Sequence, residues 1–574
     1  MTYKAAMVIV AAMTLAPLAG LAQSPPRSAD PASRLDAPEL PLPGAERGPD
    51  LSAQVAPPTP AANPAIDLRL PLSDVILIPT DAPLAALPAL QDVRPSLIGQ
   101  VVDLTALEGL RRRMTEVLVS AGYISSGLVL REIDLDRGTA TYALTEGRLV
   151  DVRASGDGMQ AGETRTMGEL APGYVTARIP RPEGAFNVIG TEEALRVLLR
   201  DRNIDRIDAA IRPGTAPGDA ILDMNVTARR PYDIALTLAN DTPDSIGEET
   251  ARLSLAARNV IASGDELRSE FEVTEGRRRI ILDGDVPLWP GGPAPFLIGE
   301  YATSDFVRNP ADAQDFRTSF LRFGAGVRVP LIDTSREQLT TIVAFDWKRT
   351  RSQVIGVDTS FSLGVEDGRS RTAVLSFAHE YVRLAENSTL ALRGSVNFGL
   401  PVLNATQNGP GIPDGEFVSL IGQAQAAYRA TPEVTIIARA QGQVATGALL
   451  PVEQVAIGGR ETVRGFGEAS VFGDNALVGS LEARIATLDL TVPQVTPPDH
   501  DATLILAPFI DAGAVRRLLD GTEDFLVGAG AGLIWSPHPA VTARAYYGIP
   551  IRGAENGSGL QGEGVHLAVS IALP

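Results

Sequence analysis

After Arg230 the chain settles into a two-residue alternation that persists to its end. In "ELRSEFEVT", Leu267, Ser269, Phe271 and Val273 share one face, and Arg268, Glu270, Glu272 and Thr274 share the other. In "TLALRGSVNFG", Leu390, Leu392, Val396 and Phe398 oppose Arg393, Ser395 and Asn397. In "VTIIARAQGQV", Ile437, Arg439, Gln441 and Gln443 share a face. The last segment, "VHLAVSIAL", sets Val565, Leu567, Val569, Ile571 and Leu573 against His566, Ala568, Ser570 and Ala572. A period of two is the mark of a strand, with successive side chains on opposite faces. Soluble sandwiches alternate too, but they seldom carry arginine and glutamate in register along so many strands. Apolar outside and charged inside is the pattern of a transmembrane β-barrel with a wet lumen. The roughly 340 residues available suffice for about sixteen strands of about ten residues plus loops.

The N-terminus agrees with an exported chain. "MTYKAAMVIVAAMTLAPLAGLAQ" carries a basic Lys4, an apolar core and a small-residue end at Gly20, Leu21 and Ala22, so a secretory signal peptide is expected over residues 1–22. No later run of about 18 apolar residues follows, so a second crossing of a membrane would require a closed barrel, in which every strand backbone group is paired. The formal net charge of −19 argues against an electrostatic grip on nucleic acid. The absence of cysteine excludes disulfides, thiolate metal sites and a Cys nucleophile.

Residues 23–72 are rich in Pro and Ala ("SPPRSADPASRLDAPELPLPG") and are expected to form a linker. Residues 73–150 look like a small α+β domain. Its clearest element is "DLTALEGLRRRMTEVLVSAGY", in which Asp103 can cap, Thr105 and Glu108 have capping-box spacing and Gly122 stops the helix. Leu107, Leu110, Met114, Val117, Leu118 and Ala121 form its apolar face, with Arg111, Arg112 and Arg113 on or beside the opposite, solvated one. The strands "LVLREIDL" and "TATYALTEGRLVDV" follow, joined by a turn at Asp136, Arg137 and Gly138. Residues 151–229 repeat the plan, with the helix "TEEALRVLLRD" capped by Thr191 and a strand pair in "AAIRPGTAPGDAILDMNVTA". The barrel is assigned to residues 230–574.

One loop of the barrel stands apart. "GGRETVRGFGEAS" places Arg464 among glycines, and some forty residues later "LILAPFIDAGAV" places Asp511 in an otherwise apolar strand between Phe509 and Gly513. A lone inward-facing carboxylate needs a cation, and a guanidinium can give it two parallel hydrogen bonds.

"GGRETVRGFGE" followed by "PFIDAG" resembles the loop and strand motifs of outer-membrane protein-transport and assembly barrels. "AGYISSGLVLREIDLDRGTATYALTEGRLVDV" and "IRPGTAPGDAILDMNV" resemble the two polypeptide-transport-associated (POTRA) domains of the two-partner secretion branch. "LANDTPDSIGEETARLSLAARNVIASGDEL" resembles the first hairpin of that branch's barrels. The resemblance implies a β-rich membrane protein: a sixteen-stranded barrel after two POTRA domains, plugged by its sixth extracellular loop. In that loop Gly458, Gly459, Val463, Arg464, Gly465 and Phe466 carry the motif, and Arg464 pairs with Asp511 of a docking strand that also bears Phe509 and Gly513. It further implies the outer membrane of a Gram-negative bacterium, POTRA domains in the periplasm, and an unfolded secreted exoprotein of haemolysin or adhesin type as partner. The alternative is an insertase or assembly factor of the same superfamily. The plug helix that some such transporters carry ahead of the POTRA domains is not carried over to this Pro-rich region.

An enzyme reading finds little. His379, His500, His538 and His566 are scattered without metal-ligand spacing, and neither G-x-S-x-G nor a phosphate loop occurs. The glycines of "VGAGAGLIW" are explained as small residues of a barrel wall, since no helix follows them. No cofactor, metal, nucleotide or nucleic acid is expected; the other partner is outer-membrane lipid.

Overall fold

The computed structural model describes residues 50–53, 69–162, 166–308, 315–360, 362–553 and 559–573. The expected signal peptide, most of the expected linker and Pro574 lie outside the described residues. Two compact units result, one spanning Arg47–Pro231 and the other built on Tyr232–Pro574.

The first unit holds the same plan twice. Strand Asp74–Ile78, helices Pro88–Val93 and Leu104–Ser120, then strands Gly127–Asp134 and Thr139–Thr145 form one half. The other comprises strand Arg148–Ser155, helices Pro172–Thr176 and Val188–Leu199, and strands Ile204–Pro213 and Asp219–Ala228. In each half the first strand lies parallel to the third, and the third pairs antiparallel with the second. Helix Leu104–Ser120 starts where Asp103 accepts from the Ala106 N–H at 2.7 Å, and it buries Leu107, Leu110, Met114 and Leu118. Across that core the Tyr142 hydroxyl donates to the Leu107 carbonyl at 2.9 Å.

Several sequence-based expectations need correction here. Glu108 closes no capping box; it pairs with Arg111, one turn on, at 2.6 Å. The helix of the second half begins at Val188, capped by Asn187 through the Ile189 N–H at 2.9 Å, while Thr191 lies buried inside it. The Asn187 amide also donates to the Ala121 carbonyl at 3.0 Å, a tertiary contact that helical periodicity could not reveal. The strand Arg148–Ser155 pairs with Asp219–Ala228, so the sheet of the second half begins before residue 151. Within the expected linker, Asp50–Ala53 forms a strand parallel to Ile204–Pro213, Asp50 facing Asp208 and Ala53 facing Ile211. Proline density masks such a short edge strand because the segment between the prolines keeps its amide donors.

From Tyr232 on, sixteen long strands close antiparallel into a barrel; the two-residue strand Val357–Asp358 only extends the outer end of the seventh. The first, Tyr232–Ala239, meets the last, Val565–Leu573, with Ile234 facing Leu573 and Ala239 facing Ala568. Thr237 and Ser570 share a hydroxyl contact of 3.0 Å across this seam. Tight turns at residues 334–336, 386–387, 432–433 and 539–540 mark one end, and long connections at 355–368, 400–417 and 446–474 mark the other. Short periplasmic turns and long extracellular loops are what such barrels show.

The barrel is inside-out relative to a soluble domain. Leu297, Phe323, Leu420, Leu481 and Ile510 point outward and are exposed, whereas Arg252, Glu272, Arg279 and Glu300 face inward and are buried. The buried charges answer one another: Arg252 meets Glu272 at 3.0 Å and Asp241 at 3.3 Å, and Arg279 meets Glu300 at 2.7 Å. Lipid tails solvate the outer face and paired ions fill the inner one. Leu481→Arg, outward at mid-strand, is expected to destabilise the barrel by about 2–4 kcal/mol, read as a lower midpoint for folding into vesicles; an unchanged midpoint would contradict a lipid-facing surface.

Candidate functional site

The connection between the eleventh strand, Val434–Ala445, and the twelfth, Asn475–Asp489, turns back into the lumen. Its stem is a small hairpin of Val455–Ile457 against Val471–Gly473. Asp474 ties the base, accepting from the Leu449 N–H (2.8 Å), the Gln454 amide (2.9 Å) and the Leu518 N–H (2.6 Å). Glu453, equally buried, accepts from the Thr372 hydroxyl at 2.6 Å and faces Lys348 at 3.4 Å. Val455, Ile457, Val463 and Phe466 then pack on wall residues Val478, Val515 and Leu526. The loop therefore carries its own apolar core into a polar barrel.

Arg464 sits at the tip. Its Nε donates to Asp511 Oδ2 at 2.8 Å and its Nη2 to Oδ1 at 2.9 Å, the parallel pair that only a guanidinium can make. The Arg464 backbone N–H adds a third bond to Oδ2 at 3.0 Å. Nη1 donates to Glu482, and Nη2 reaches the Ser480 hydroxyl at 3.2 Å. Arg484 holds the other oxygen of Glu482 at 2.9 Å, so two guanidiniums meet two carboxylates and the cluster is neutral. Arg464, Asp511 and Glu482 keep 3%, 1% and 1% of their side chains exposed. Underneath, the guanidinium lies 3.6 Å from the Phe509 ring centre, with Tyr546 at 5.0 Å and edge-on to Phe509. A cation over an aromatic face gains more once dehydrated.

Backbone clearance completes the fit. Gly465, at φ +97°, lets the chain turn at the wall, where a Cβ at Gly548 would come 2.5 Å from the Gly465 nitrogen. A Cβ at Gly528 would stand 1.9 Å from the Arg464 carbonyl oxygen. At Gly513 it would press on Ile457 and Val463, at 2.9 and 3.0 Å. So Phe509, Asp511 and Gly513, alternate residues on the lumen face of the thirteenth strand, respectively stack under, pair with and make room for the tip. Gly458 and Gly459 open the turn with positive φ, and Phe466 is fully buried. Every residue singled out in the loop and its docking strand thus falls in one continuous contact region. The Gly465 N–H also points at His566 Nε2, 3.4 Å away on the last strand.

Sequence reasoning missed Glu482, Ser480, Arg484, Tyr546 and Gly548; it read Gly528 as a small wall residue but not its contact with the loop. The alternation of "GSLEARIATL" puts Ser480, Glu482 and Arg484 on one face and could have pointed to them. A second tether was also unforeseen. Arg460 reaches Asp241 after the first strand at 3.4 Å, and the Glu468 N–H donates to Gln561, whose amide holds the carbonyls of Asn240 and Thr242 at 2.7 and 2.8 Å. The loop is thus bound both to strands twelve and thirteen and to the closing seam.

Fold and site define an outer-membrane barrel with one connection folded back into its lumen. Comparison with known proteins agrees. Residues 328–534 match the family model described as haemolysin secretion/activation protein ShlB/FhaC/HecB. The outer membrane transporter CdiB of Dickeya dadantii (strain 3937) is 24% identical over 383 residues, 64% of this chain and 64% of that protein. The chain's match thus spans just under two thirds of that relative. Among solved structures, CdiB from Escherichia coli is similar with a TM-score of 0.63 at 17% identity, over 91% of this chain and 93% of that one. BamA from Haemophilus ducreyi lacking POTRA domains 1–3 reaches 0.52 at 12% identity, over 88% and 100%. These likenesses are to outer-membrane transporters, and they agree with an outer-membrane barrel preceded by small α+β domains.

Gly528→Ala is expected to lift the tip off the wall, since its Cβ would overlap the Arg464 carbonyl. The chain contains no cysteine, so a single Thr462→Cys, buried in the docked loop, reports this cleanly. Its labelling rate by a water-soluble maleimide should rise about tenfold or more in the Gly528→Ala background; an unchanged rate would contradict the docking geometry.

Proposed function

We propose that this chain exports a dedicated large exoprotein, of haemolysin or adhesin type, from periplasm to cell surface, and that the loop carrying Arg464 is the cork. What carries the reading is the neutral cluster of Arg464, Asp511, Glu482 and Arg484 deep in an otherwise hydrated lumen. A passive pore needs no such loop, and the relatives found are transporters. The chain is read as a conduit without chemistry of its own.

The substrate arrives unfolded in the periplasm. A free sheet edge, such as that of Gly127–Asp134, can add a strand of it through backbone hydrogen bonds that ask little of sequence. The substrate then passes a lumen whose inward Arg, Glu, Gln and Asn side chains keep it hydrated, and its folding outside biases the direction. No nucleotide is consumed. Moving the cork does not strand a charge for good: Asp511 and Glu482 lose Arg464 to water that enters the widened lumen, while Arg484 stays beside Glu482.

The second reading, an insertase for other barrels, shares the loop contact, and the BamA likeness bears on fold alone. The relatives found are named as transporters, which favours secretion. Arg464→Ala leaves Asp511 without its cation and Glu482 with Arg484 alone, a loss of about 3–5 kcal/mol where no water replaces it. The variant should stay in the outer membrane and heat-modifiable on gels, yet export nothing; normal secretion would overturn the proposal. Deletion of the chain should strand one exoprotein in the periplasm, whereas an insertase would show a general loss of outer-membrane barrels.

A further inference from the structure

The sixth, seventh and eighth strands, Phe316–Asp333, Glu337–Val354 and Arg369–Ala385, are longer than the nine to eleven residues that about 30 Å of hydrocarbon needs. Their register sets up an unusual outer face. On the seventh strand Trp347, Arg349 and Arg351 follow one another at two-residue spacing toward the extracellular end. Trp347 faces Phe323 on one side, and Arg349 and Arg351 face Arg371 and Arg369 on the other. The intervening residues point into the lumen, where Lys348 and Thr372 meet Glu453. All four arginines therefore lie on the lipid side, in two rows about 7 Å apart, just beyond an aromatic row.

Like charges directly opposite on adjacent strands repel. The outer pair is answered by one carboxylate: Asp358 accepts from Arg351 at 2.8 Å and from Arg369 at 2.6 Å. The inner pair, Arg349 and Arg371, faces no carboxylate within salt-bridge distance among the described residues. The inner pair thus places two unanswered guanidiniums at the depth where aromatic residues mark the membrane–water interface. Guanidiniums placed side by side there are matched by phosphate, which each can bind through two N–H groups.

The geometry points to a binding site for the phosphorylated headgroup of an outer-leaflet glycolipid, held by Arg349, Arg371, Arg351 and Arg369, with its acyl chains lying along Phe323 and Trp347. The ligand neutralises the facing arginines and fixes the long hairpin at a set height in the membrane. The site lies outside the barrel wall and does not depend on the export reading.

The test uses the full chain in detergent micelles, with unfolding followed by heat-modifiability. Diphosphoryl lipid A should raise the unfolding temperature of the unaltered protein, and half-saturation should need about tenfold more lipid, or more, in the double variant Arg349→Gln/Arg371→Gln. Arg383→Gln, on the same strand at the periplasmic end, should behave as the unaltered chain. An equal response to dephosphorylated lipid A, an equal response of the double variant, or the same shift with inorganic phosphate alone would each overturn the inference, the last by showing a free-anion site. If the double variant fails to fold, Arg349→Lys/Arg371→Lys keeps the charge but loses the bidentate fork, and undiminished binding to it would equally overturn the assigned role.

Discussion

A guanidinium placed inside a barrel must be answered, and the answer here determines how the rest of the loop lies. Arg464 meets Asp511 through two parallel bonds and a third from its own backbone, and shares Glu482 with Arg484. Removing two ions from water costs several kcal/mol each unless their partners are well placed. The aromatic floor of Phe509 and Tyr546 and the cleared backbone at Gly528 and Gly548 make that placement possible. Four consecutive strands, the twelfth to the fifteenth, are shaped to receive one side chain.

The same economy of charge governs the barrel as a whole. Its inner wall carries ion pairs such as Arg252 with Glu272 and Arg279 with Glu300, and its outer wall carries Leu, Ile and Phe. A hydrated lumen tolerates the first set and lipid requires the second. The loop is the exception, because Val463 and Phe466 bring an apolar cluster into that polar interior. Its attachment to Asp241 and Gln561 ties the loop to the seam where the first and last strands meet.

Much of this was legible in the chain. Alternation revealed the barrel because a strand's two faces meet two different solvents. The Arg464–Asp511 contact was legible because a lone acid in "APFIDAG" and a lone arginine among glycines each demand a partner. Glu482 was hidden because "SLEAR" supplies its own nearby cation, so nothing about that acid looked unanswered. The glycines of "VGAGAGLIW" were legible as wall residues, but the clearance that Gly528 and Gly548 give the loop was hidden, because a small residue declares its purpose only when the opposing backbone is in place. Asn187 and the strand Asp50–Ala53 depend on partners far away in sequence, which no local pattern encodes.

The most direct measurement of the central claim is a disulfide. In a chain free of cysteine, Val463→Cys and Gly513→Cys would put one sulfur at the loop tip and one on the docking strand, where a Cβ at Gly513 lies 3.0 Å from Val463 Cγ2. A tip held on that strand should give near-complete bond formation in native membranes and no export until the bond is reduced. Two free thiols in the folded, membrane-inserted protein would contradict the account.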